Sequence, residues 1–476
     1  MVFSELFFVF FFFVLCTTCL FFAKSVKRQN IVLLAFSLIF YAWGGPMLIL
    51  LLAGMTLICY LGARVIDSFE DRFYKKLGLL MTVAICLILL GFFKYSTFIA
   101  VTLQGIFGFG GVMPNIVLPI GISFYTFQLL SYVADVFRGQ VKAQKKYWIL
   151  LLYASLFHQC VAGPIVRYRT VCDELESRSI TVPDLSSGIT RFSVGLAKKA
   201  VLANTAGAMV AELWSESSIP SASALTVFLG GVFYMLQIYL DFSAYSDMAI
   251  GMGKMAGFHY DENFNYPYTA TSVTDFWRRW HMSLSSFFRD YVYIPLGGNR
   301  CSVLRQIFNL FVVWGLTGLW HGASWNYVLW GLYYFVFLVL EKFLFKPKKE
   351  CSFPISCLRR IPVLIIVYFG WMLFYFEDLS MLGKALGGLF GANGWSDFYA
   401  VSSLKGNLFF LMVAILACAP IFPLLKRLFL PPEKAPSKGI EALCGVTGTI
   451  LPVALLFLAL IFLVGNTYNP FLYFQF

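Results

Sequence analysis

The chain has 476 residues, of which 59% are hydrophobic and only 13% are charged. Soluble domains carry about 25% charged residues, so this composition excludes an ordinary soluble domain and predicts a polytopic membrane protein. The net charge of +12 does not indicate a nucleic-acid partner, because the lysines and arginines lie in short loops between apolar runs, as the positive-inside rule describes. About ten of these runs approach the roughly 20 apolar residues that a spanning helix needs.

The first apolar run, residues 6–23, is predicted to be a retained spanning helix and not a signal peptide. Glu5 precedes the run, whereas Lys24, Lys27 and Arg28 follow it, so the charge order is opposite to that of a secretory signal. Under the positive-inside rule the basic loop is cytoplasmic, which places the N-terminus outside.

Apolar runs then alternate with basic loops, and the same rule places the C-terminal tail, residues 465–476, outside as well. The run at residues 148–157 is too short for a normal span and favours a re-entrant or interfacial segment. We therefore predict an all-α bundle with re-entrant segments that forms one integral-membrane domain over residues 1–476. The predicted spans after the first are residues 31–43, 47–65, 77–93, 118–136, 192–213, 225–240, 303–320, 324–340, 361–375, 408–425 and 443–464.

Residues 241–300 are polar, aromatic and charged, although apolar runs flank them on both sides. Backbone of this kind at membrane depth is tolerated only where protein buries it or where it lines a water-filled cavity. This stretch is therefore the predicted floor or wall of a site, and the predicted site region covers residues 241–330.

His321, one of four histidines, lies between two long apolar runs. An ionisable side chain in such a place is costly and marks a functional site by default. Its imidazole could act as a general base that takes a proton from a hydroxyl as the hydroxyl attacks an acyl carbon. The alternative is a histidine that only forms a hydrogen bond with a neighbouring helix. Trp320 and Asn326 lie beside His321 in the sequence and are predicted to bind substrate or donor.

His281 ends the run Trp277-Arg278-Arg279-Trp280-His281. If the run is helical, Trp277 and His281 share one face at i, i+4. The two arginines could hold an anionic donor or orient an acyl group, and the two tryptophans are assigned to the same binding surface. The alternative is an interfacial anchor, with tryptophan at the headgroup level and arginine bound to lipid phosphate.

Asp290 and Asn299 lie on either side of Pro295, Gly297 and Gly298. Proline and glycine end a helix and turn the chain, and the two polar side chains could orient a histidine or bind substrate. A plain connecting loop is equally consistent with this pattern.

No metal site and no bound cofactor are predicted. The eleven cysteines are scattered, mostly in or beside apolar runs, and follow no metal-ligand or disulfide spacing. His158 and His259 have no potential ligands at a useful spacing. Because no serine, cysteine or metal nucleophile is evident, base-promoted transfer is a simpler hypothesis than a covalent enzyme intermediate.

Residues 277–284, 291–300 and 319–326 together resemble the membrane-bound O-acyltransferase (MBOAT) family, as do residues 121–127, 161–168 and 469–474. Within the family, the resemblance is stronger to enzymes that O-acetylate alginate or peptidoglycan than to D-alanyl transferases. It implies a helical bundle around a central funnel and tunnel, with a donor that enters from the cytoplasm. The family's essential histidine matches His321 and its second histidine matches His281, so the resemblance implies that His321 is catalytic and that His281 is catalytic or shapes the site.

The predicted function is therefore transfer of an acyl group, expected to be acetyl, from a cytosolic thioester to an extracytoplasmic polysaccharide. The resemblance implies acetyl-CoA or an acyl-loaded carrier protein as donor. It also implies an extracytoplasmic acetyltransferase of the SGNH type (AlgJ-, AlgX- or PatB-like) as partner, with the chain embedded in the lipid of the cytoplasmic (inner) membrane. Three alternatives stay open: D-alanyl transfer from a carrier protein to a cell-wall polymer, a transporter without chemistry, and a scaffold for a secreted acetyltransferase.

Overall fold

The computed structural model of the protein describes residues 1–108, 116–160, 163–345, 352–421, 423–425, 438–465 and 472. Within these residues the regular structure is entirely helical, which confirms the predicted all-α fold. Eight of the described helices are long and apolar enough to cross a membrane. Most of the predicted C-terminal tail, and parts of the motifs at residues 161–168 and 469–474 that carry the family resemblance, lie outside the described residues.

Short π-helical segments interrupt several of the helices. They precede α1 at Phe8–Phe12, join α9 to α10 at Lys198–Ala203, continue α13 at Arg289–Tyr293 and continue α15 at Glu341–Phe345. The first eleven helices are α1 (Phe13–Phe22), α2 (Val26–Ala42), α3 (Leu48–Ser68), α4 (Arg72–Phe107), α5 (Ile122–Phe137), α6 (Tyr147–Ser155), α7 (Phe157–Cys160), α8 (Tyr168–Glu176), α9 (Val182–Ala197), α10 (Asn204–Leu213) and α11 (Ala224–Met255). The remaining described helices are α12 (Val273–Arg279), α13 (Met282–Phe288), α14 (Val303–His321), α15 (Trp325–Leu340), α16 (Phe353–Tyr375), α17 (Leu379–Leu389), α18 (Phe398–Ala417) and α19 (Lys438–Gly465).

Some helices differ in length from the predicted spans. The first apolar helix covers only Phe8–Phe22, and α6 covers only nine residues, as the short run at residues 148–157 predicted. In contrast, α4 has 36 residues and continues well past the predicted end at residue 93. The helix passes through Lys94. Hydrogen bonds from this lysine to neighbouring elements allow it to lie inside the bundle.

The predicted span at residues 225–240 lies within a longer helix. Helix α11 continues to Met255 and carries Asp241 and Asp247 in its second half. Lys199 forms an ion pair with Asp241 at 2.7 Å, and Lys198 forms one with Asp247 at 2.7 Å. Both lysines lie in the π-helical segment after α9, so a neighbouring element neutralises the two acids and the helix persists.

The buried side chains form two hydrophobic clusters that meet at α11. The first cluster involves α1 to α9, and it includes Trp320 at the end of α14. The second involves α10 and α12 with α14 to α18, and it includes Trp330 and Phe374. The described side chains around His321 come from both clusters, so the predicted site region lies at the boundary between the two halves of the bundle.

Candidate functional site

His321 is the last residue of α14 and is buried, with 4% of its surface exposed. Helices α14 and α15 form a tightly packed pair because Gly318 and Gly331 face each other, and a methyl group on either would collide with backbone of the opposite helix. After His321 the backbone is extended at Gly322 before α15 begins. The close helix pair therefore fixes the height and direction of the imidazole.

Aromatic rings surround the His321 imidazole. The ring centroids of Trp320, Trp330 and Phe374 lie 5.0, 4.9 and 5.3 Å from that of His321, all at steep angles. Asn326 supports this wall, because its buried amide donates a hydrogen bond to the Phe374 carbonyl at 3.0 Å. Trp320 and Asn326, which flank His321 in the sequence, thus also shape its surroundings in space.

His281 occupies a turn between α12 and α13 and is 1% exposed. Its φ of 44° lies in the left-handed region that only glycine adopts easily. Backbone hydrogen bonds hold this turn: the Asn265 N–H donates to the Arg279 carbonyl, and the Met282 N–H donates to the Asn263 carbonyl, both at 2.9 Å. Because α12 ends at Arg279, the predicted i, i+4 alignment of Trp277 with His281 does not form.

Asn263 orients the His281 ring. The amide oxygen of Asn263 lies 3.1 Å from His281 Nδ1 and also accepts hydrogen bonds from the Ser283 N–H at 3.2 Å and the Ser283 hydroxyl at 2.9 Å. Since a backbone N–H can only donate, this contact identifies the oxygen of the amide, and His281 Nδ1 must then carry the proton when the ring is neutral. Nε2 is therefore the basic nitrogen of His281.

Trp320 connects the two histidines. Its ring centroid lies 5.6 Å from that of His281 and 5.0 Å from that of His321. The fold thus brings together two histidines that are forty residues apart in the sequence. This shared contact defines the candidate site.

The two predicted tryptophans of α12 and its end lie in the aromatic wall. Trp277 is buried and its ring lies 5.4 Å from that of Trp330, which in turn contacts His321. Trp280 is also buried and packs 4.8 Å from Trp371. Both are therefore packing residues of the site's surroundings.

Other predicted residues lie away from the two histidines. Arg279 forms an ion pair with Asp275 one helical turn earlier, at 2.8 Å, and Arg278 is exposed. Asn299 accepts hydrogen bonds from the Tyr293 hydroxyl at 2.7 Å and from Lys342 at 2.6 Å.

Asp290 likewise binds arginines and not a histidine. It forms ion pairs at 2.7 Å with both Arg167 and Arg289.

Lys94 is a site-adjacent residue that the sequence analysis missed. Its ammonium donates to the Trp320 carbonyl and, at 3.3 Å, to the Ser123 hydroxyl. The neighbouring Tyr95 hydroxyl donates to the Leu319 carbonyl at 2.6 Å. These bonds cap carbonyls of the last turn of α14, where the helix dipole favours a positive charge. A lysine inside a long apolar run was the available signal.

Asn263 was missed as well, and its sequence context gave no signal because its role depends on a contact 18 residues away. No group of three or more histidine, cysteine, aspartate or glutamate side chains that could hold a metal ion occurs in the part of the chain that the structure describes. The arrangement thus offers two buried imidazoles in an aromatic enclosure, which is suited to moving a proton away from bulk water.

Comparison with known proteins connects this geometry to a family. The family model described as "MBOAT, membrane-bound O-acyltransferase family" matches residues 71–383. A protein of Pseudomonas putida named probable alginate O-acetylase AlgI is 36% identical, over 96% of this chain and 96% of its own length. The peptidoglycan O-acetyltransferase of Helicobacter pylori is 32% identical over 79% of this chain and 76% of its own length.

A more distant relative is the teichoic acid D-alanyltransferase of Bacillus subtilis, 29% identical over 56% of this chain and 69% of its own length. The region that the family model matches includes α4 to α16 and both histidines of the candidate site. The chain therefore belongs to the membrane-bound O-acyltransferase family and is a membrane-embedded acyltransferase.

Proposed function

We propose that this protein transfers an acetyl group from a cytosolic thioester donor toward the hydroxyl groups of an extracytoplasmic polysaccharide, with His321 as the catalytic base. The observation that carries the proposal is the meeting of His321 and His281 at Trp320 inside a buried aromatic enclosure. Buried imidazoles are expensive in a membrane protein and are retained where they serve function.

The proposed reaction balances without an additional reagent. His321 takes the proton of the acceptor hydroxyl as its oxygen attacks the thioester carbonyl. The carbon–sulfur bond then breaks, and the imidazolium returns the proton to the departing thiolate, so that an ester and a free thiol result. His281, with its proton held on Nδ1 by Asn263, is proposed to orient a substrate or share the proton through Nε2.

The proposed donor is acetyl-CoA or an acyl-loaded carrier protein on the cytoplasmic side. The donor should approach the face of the bundle that carries the basic segments of the chain. Three hydrogen bonds between residues in or beside these segments indicate that they lie on one face: Asn30 donates to the Leu175 carbonyl, Gln144 to the Tyr168 hydroxyl, and Tyr60 to the Lys145 carbonyl.

Basic loops favour the cytoplasm, so we infer that this face is cytoplasmic. We also infer that both termini are outside and that the protein lies in the cytoplasmic (inner) membrane.

The proposed acceptor class rests on the relatives, whose names specify alginate and peptidoglycan as acetylated polymers. We propose that an extracytoplasmic acetyltransferase of the SGNH type supplies the acceptor hydroxyl of this reaction, receives the group as its ester and completes the transfer to the polysaccharide.

The decisive experiment measures base-labile acetate on cell-surface polysaccharide in a deletion strain. The strain is complemented with wild type, His321→Ala or His321→Gln at matched membrane levels, and His259→Ala serves as a control because His259 lies on the protein's surface. We expect His321 variants to lose about 10²- to 10⁴-fold in rate, the range typical of general base catalysis, whereas the control retains activity.

The other outcomes separate the alternatives. Retained acetylation in His321→Ala would move the chemistry to a partner and leave this chain as a scaffold or conduit. Base-labile D-alanine in place of acetate would favour the function named for the Bacillus subtilis relative.

A further inference from the structure

A large cavity lies beside the candidate site, and the reaction steps above assign no role to it. Its volume is about 1100 Å³, and it is bounded by α4, α5, the α13 segment with its π-helical continuation, and α14. We call this cavity the lateral groove. Apolar side chains form most of its walls, including Leu79 and Val83 from α4 and Leu316 and Leu319 from α14.

The lateral groove opens toward the surface that faces lipid. Three of its lining leucines are substantially exposed: Leu80 at 54%, Leu87 at 46% and Leu316 at 41%. These residues lie on α4 and α14, both of which are long and apolar enough to span the membrane. Exposed leucines on spanning helices contact lipid chains and not water, so a lipid chain has direct access to the groove.

The polar lining residues are concentrated at one end of the groove. Arg138, Gln140, Arg169 and Asp290 lie at this end, which we call the arginine mouth. Arg169 is 38% exposed and donates to Gln140 at 2.9 Å, whereas Arg138 donates to the Asp290 carbonyl at 2.8 Å.

Arginines outnumber carboxylates in and beside the arginine mouth. The guanidiniums of Arg138 and Arg169, with those of the adjacent Arg167 and Arg289, lie around the carboxylates of Asp290 and the adjacent Asp135. Among these six side chains the arginines exceed the carboxylates by two. Basic pockets between spanning helices recognise anionic lipid headgroups.

The opposite end of the groove is closed near the two histidines. Trp320 forms part of this end, and the bonds from Lys94 and Tyr95 to the end of α14 join its two walls. An occupant that reaches this end contacts the same indole that touches both histidines.

We propose that the lateral groove binds one anionic phospholipid, with an acyl chain between α4 and α14 and the headgroup phosphate at Arg138 and Arg169. A flexible thioester arm is the competing occupant, but its amide groups need hydrogen-bonding partners, and between the arginine mouth and Tyr95 the lining is mostly leucine, valine and phenylalanine. A hydrocarbon chain has no such need. The end of such a chain would pack against Trp320, the residue that contacts both histidines of the candidate site.

The test measures lipid binding and does not depend on transfer activity, so it can fail or succeed independently of the proposed function. The full-length protein is purified in mild detergent, and phosphatidylglycerol or phosphatidylcholine is titrated while bound lipid is counted by native mass spectrometry. We expect tighter binding of phosphatidylglycerol, weakened as ionic strength rises from about 0.05 to about 0.5 M.

Two kinds of variant locate the site. Arg138→Gln combined with Arg169→Gln removes charge at the mouth and should weaken phosphatidylglycerol binding about tenfold or more. Leu87→Trp fills the groove from an exposed position and should weaken both lipids. Arg64→Gln combined with Arg300→Gln is the matched control, because both arginines are exposed and neither lines the groove.

Equal phosphatidylglycerol binding by wild type and by both groove variants would overturn the proposal. So would displacement of the lipid by coenzyme A, or loss of coenzyme A binding in Leu87→Trp while lipid binding is unchanged, because either result would assign the groove to the donor arm.

Discussion

The two histidines of the candidate site are held in place by different means. His281 sits in a left-handed turn, and the amide of Asn263 orients its ring by a hydrogen bond. His321 ends a long helix, and the rings of Trp320, Trp330 and Phe374 surround its imidazole. The contrast indicates that the orientation of His281 depends on a polar network, whereas that of His321 depends on packing and on the end of α14.

After substitution of His321, substitution of His281 is expected to cause the largest loss of transfer rate. We expect His281→Gln to lower the transfer rate about 100-fold, at the lower end of the range for a general acid–base residue. The rate is measured as acetate transferred by membranes with matched protein levels.

The double variant His281→Gln with His321→Gln then tests whether the two residues act as a unit. A double variant no slower than His321→Gln alone indicates one shared step, because residues of a unit are not additive. Independent, multiplied losses would contradict the shared site.

Substitution of Asn263 tests whether a hydrogen bond orients the His281 ring. Asn263→Ala removes the acceptor for three donors, from His281 and Ser283, so we expect about a tenfold loss of rate, comparable to the losses typical of outer-shell partners of functional histidines. Asn263→Asp keeps an acceptor at the same place and should retain more activity than Asn263→Ala. If both variants lose activity equally, Asn263 acts by packing and not by orienting the ring.

Substitution of Lys94 tests whether the end of α14 positions His321. Lys94→Met keeps the length and apolar character of the side chain but removes the donor to the Trp320 carbonyl, and the end of α14 then loses a cap. We expect a loss of about fivefold in rate, because a cation at the carbonyl end of a helix contributes up to about 1 kcal/mol and about 1.4 kcal/mol corresponds to a factor of ten. Lys76→Met is the control, since Lys76 is an exposed lysine on the same helix. Full activity in Lys94→Met would show that packing alone positions His321.

The sequence predicted the fold class and the pair of histidines because both leave local marks. Apolar runs of the length of a span are visible in one dimension, and an imidazole in such a run is rare. The α11 boundary was not predictable, because Asp241 and Asp247 resemble the start of a loop until their lysine partners from the segment after α9 are known.

The turn at His281 was hidden for the same reason. Nothing in the run from Trp277 to His281 forbids a helix, and the helix ends because residues 263–265 form backbone hydrogen bonds with residues 279–282. Local patterns thus predicted which residues are unusual, whereas long-range contacts determined how each of them is oriented.

The smallest predicted effect concerns a histidine outside the candidate site. His259 is exposed and lies 2.8 Å from Glu174 and 3.3 Å from Asp184. The hydrogen bond to the Glu174 carboxylate raises the pKa of His259, burial opposes this rise, and Asp184 adds to it. The folded protein therefore holds the His259 proton more tightly than the unfolded chain, whose histidine pKa is about 6.5. It follows that His259 contributes stability fully below about pH 6.5 and loses that contribution as the pH rises through the raised pKa.

We expect wild type to melt at a higher temperature than His259→Gln at about pH 5.5, and the difference to vanish near pH 9. The difference should stay below about 2 °C, because exposed ion pairs contribute only about 0–1 kcal/mol. Thermal unfolding of both proteins in the same detergent at the two pH values measures it. A difference that grows with pH would contradict the charged contact, whereas unchanged transfer activity in His259→Gln would agree with chemistry at His281 and His321.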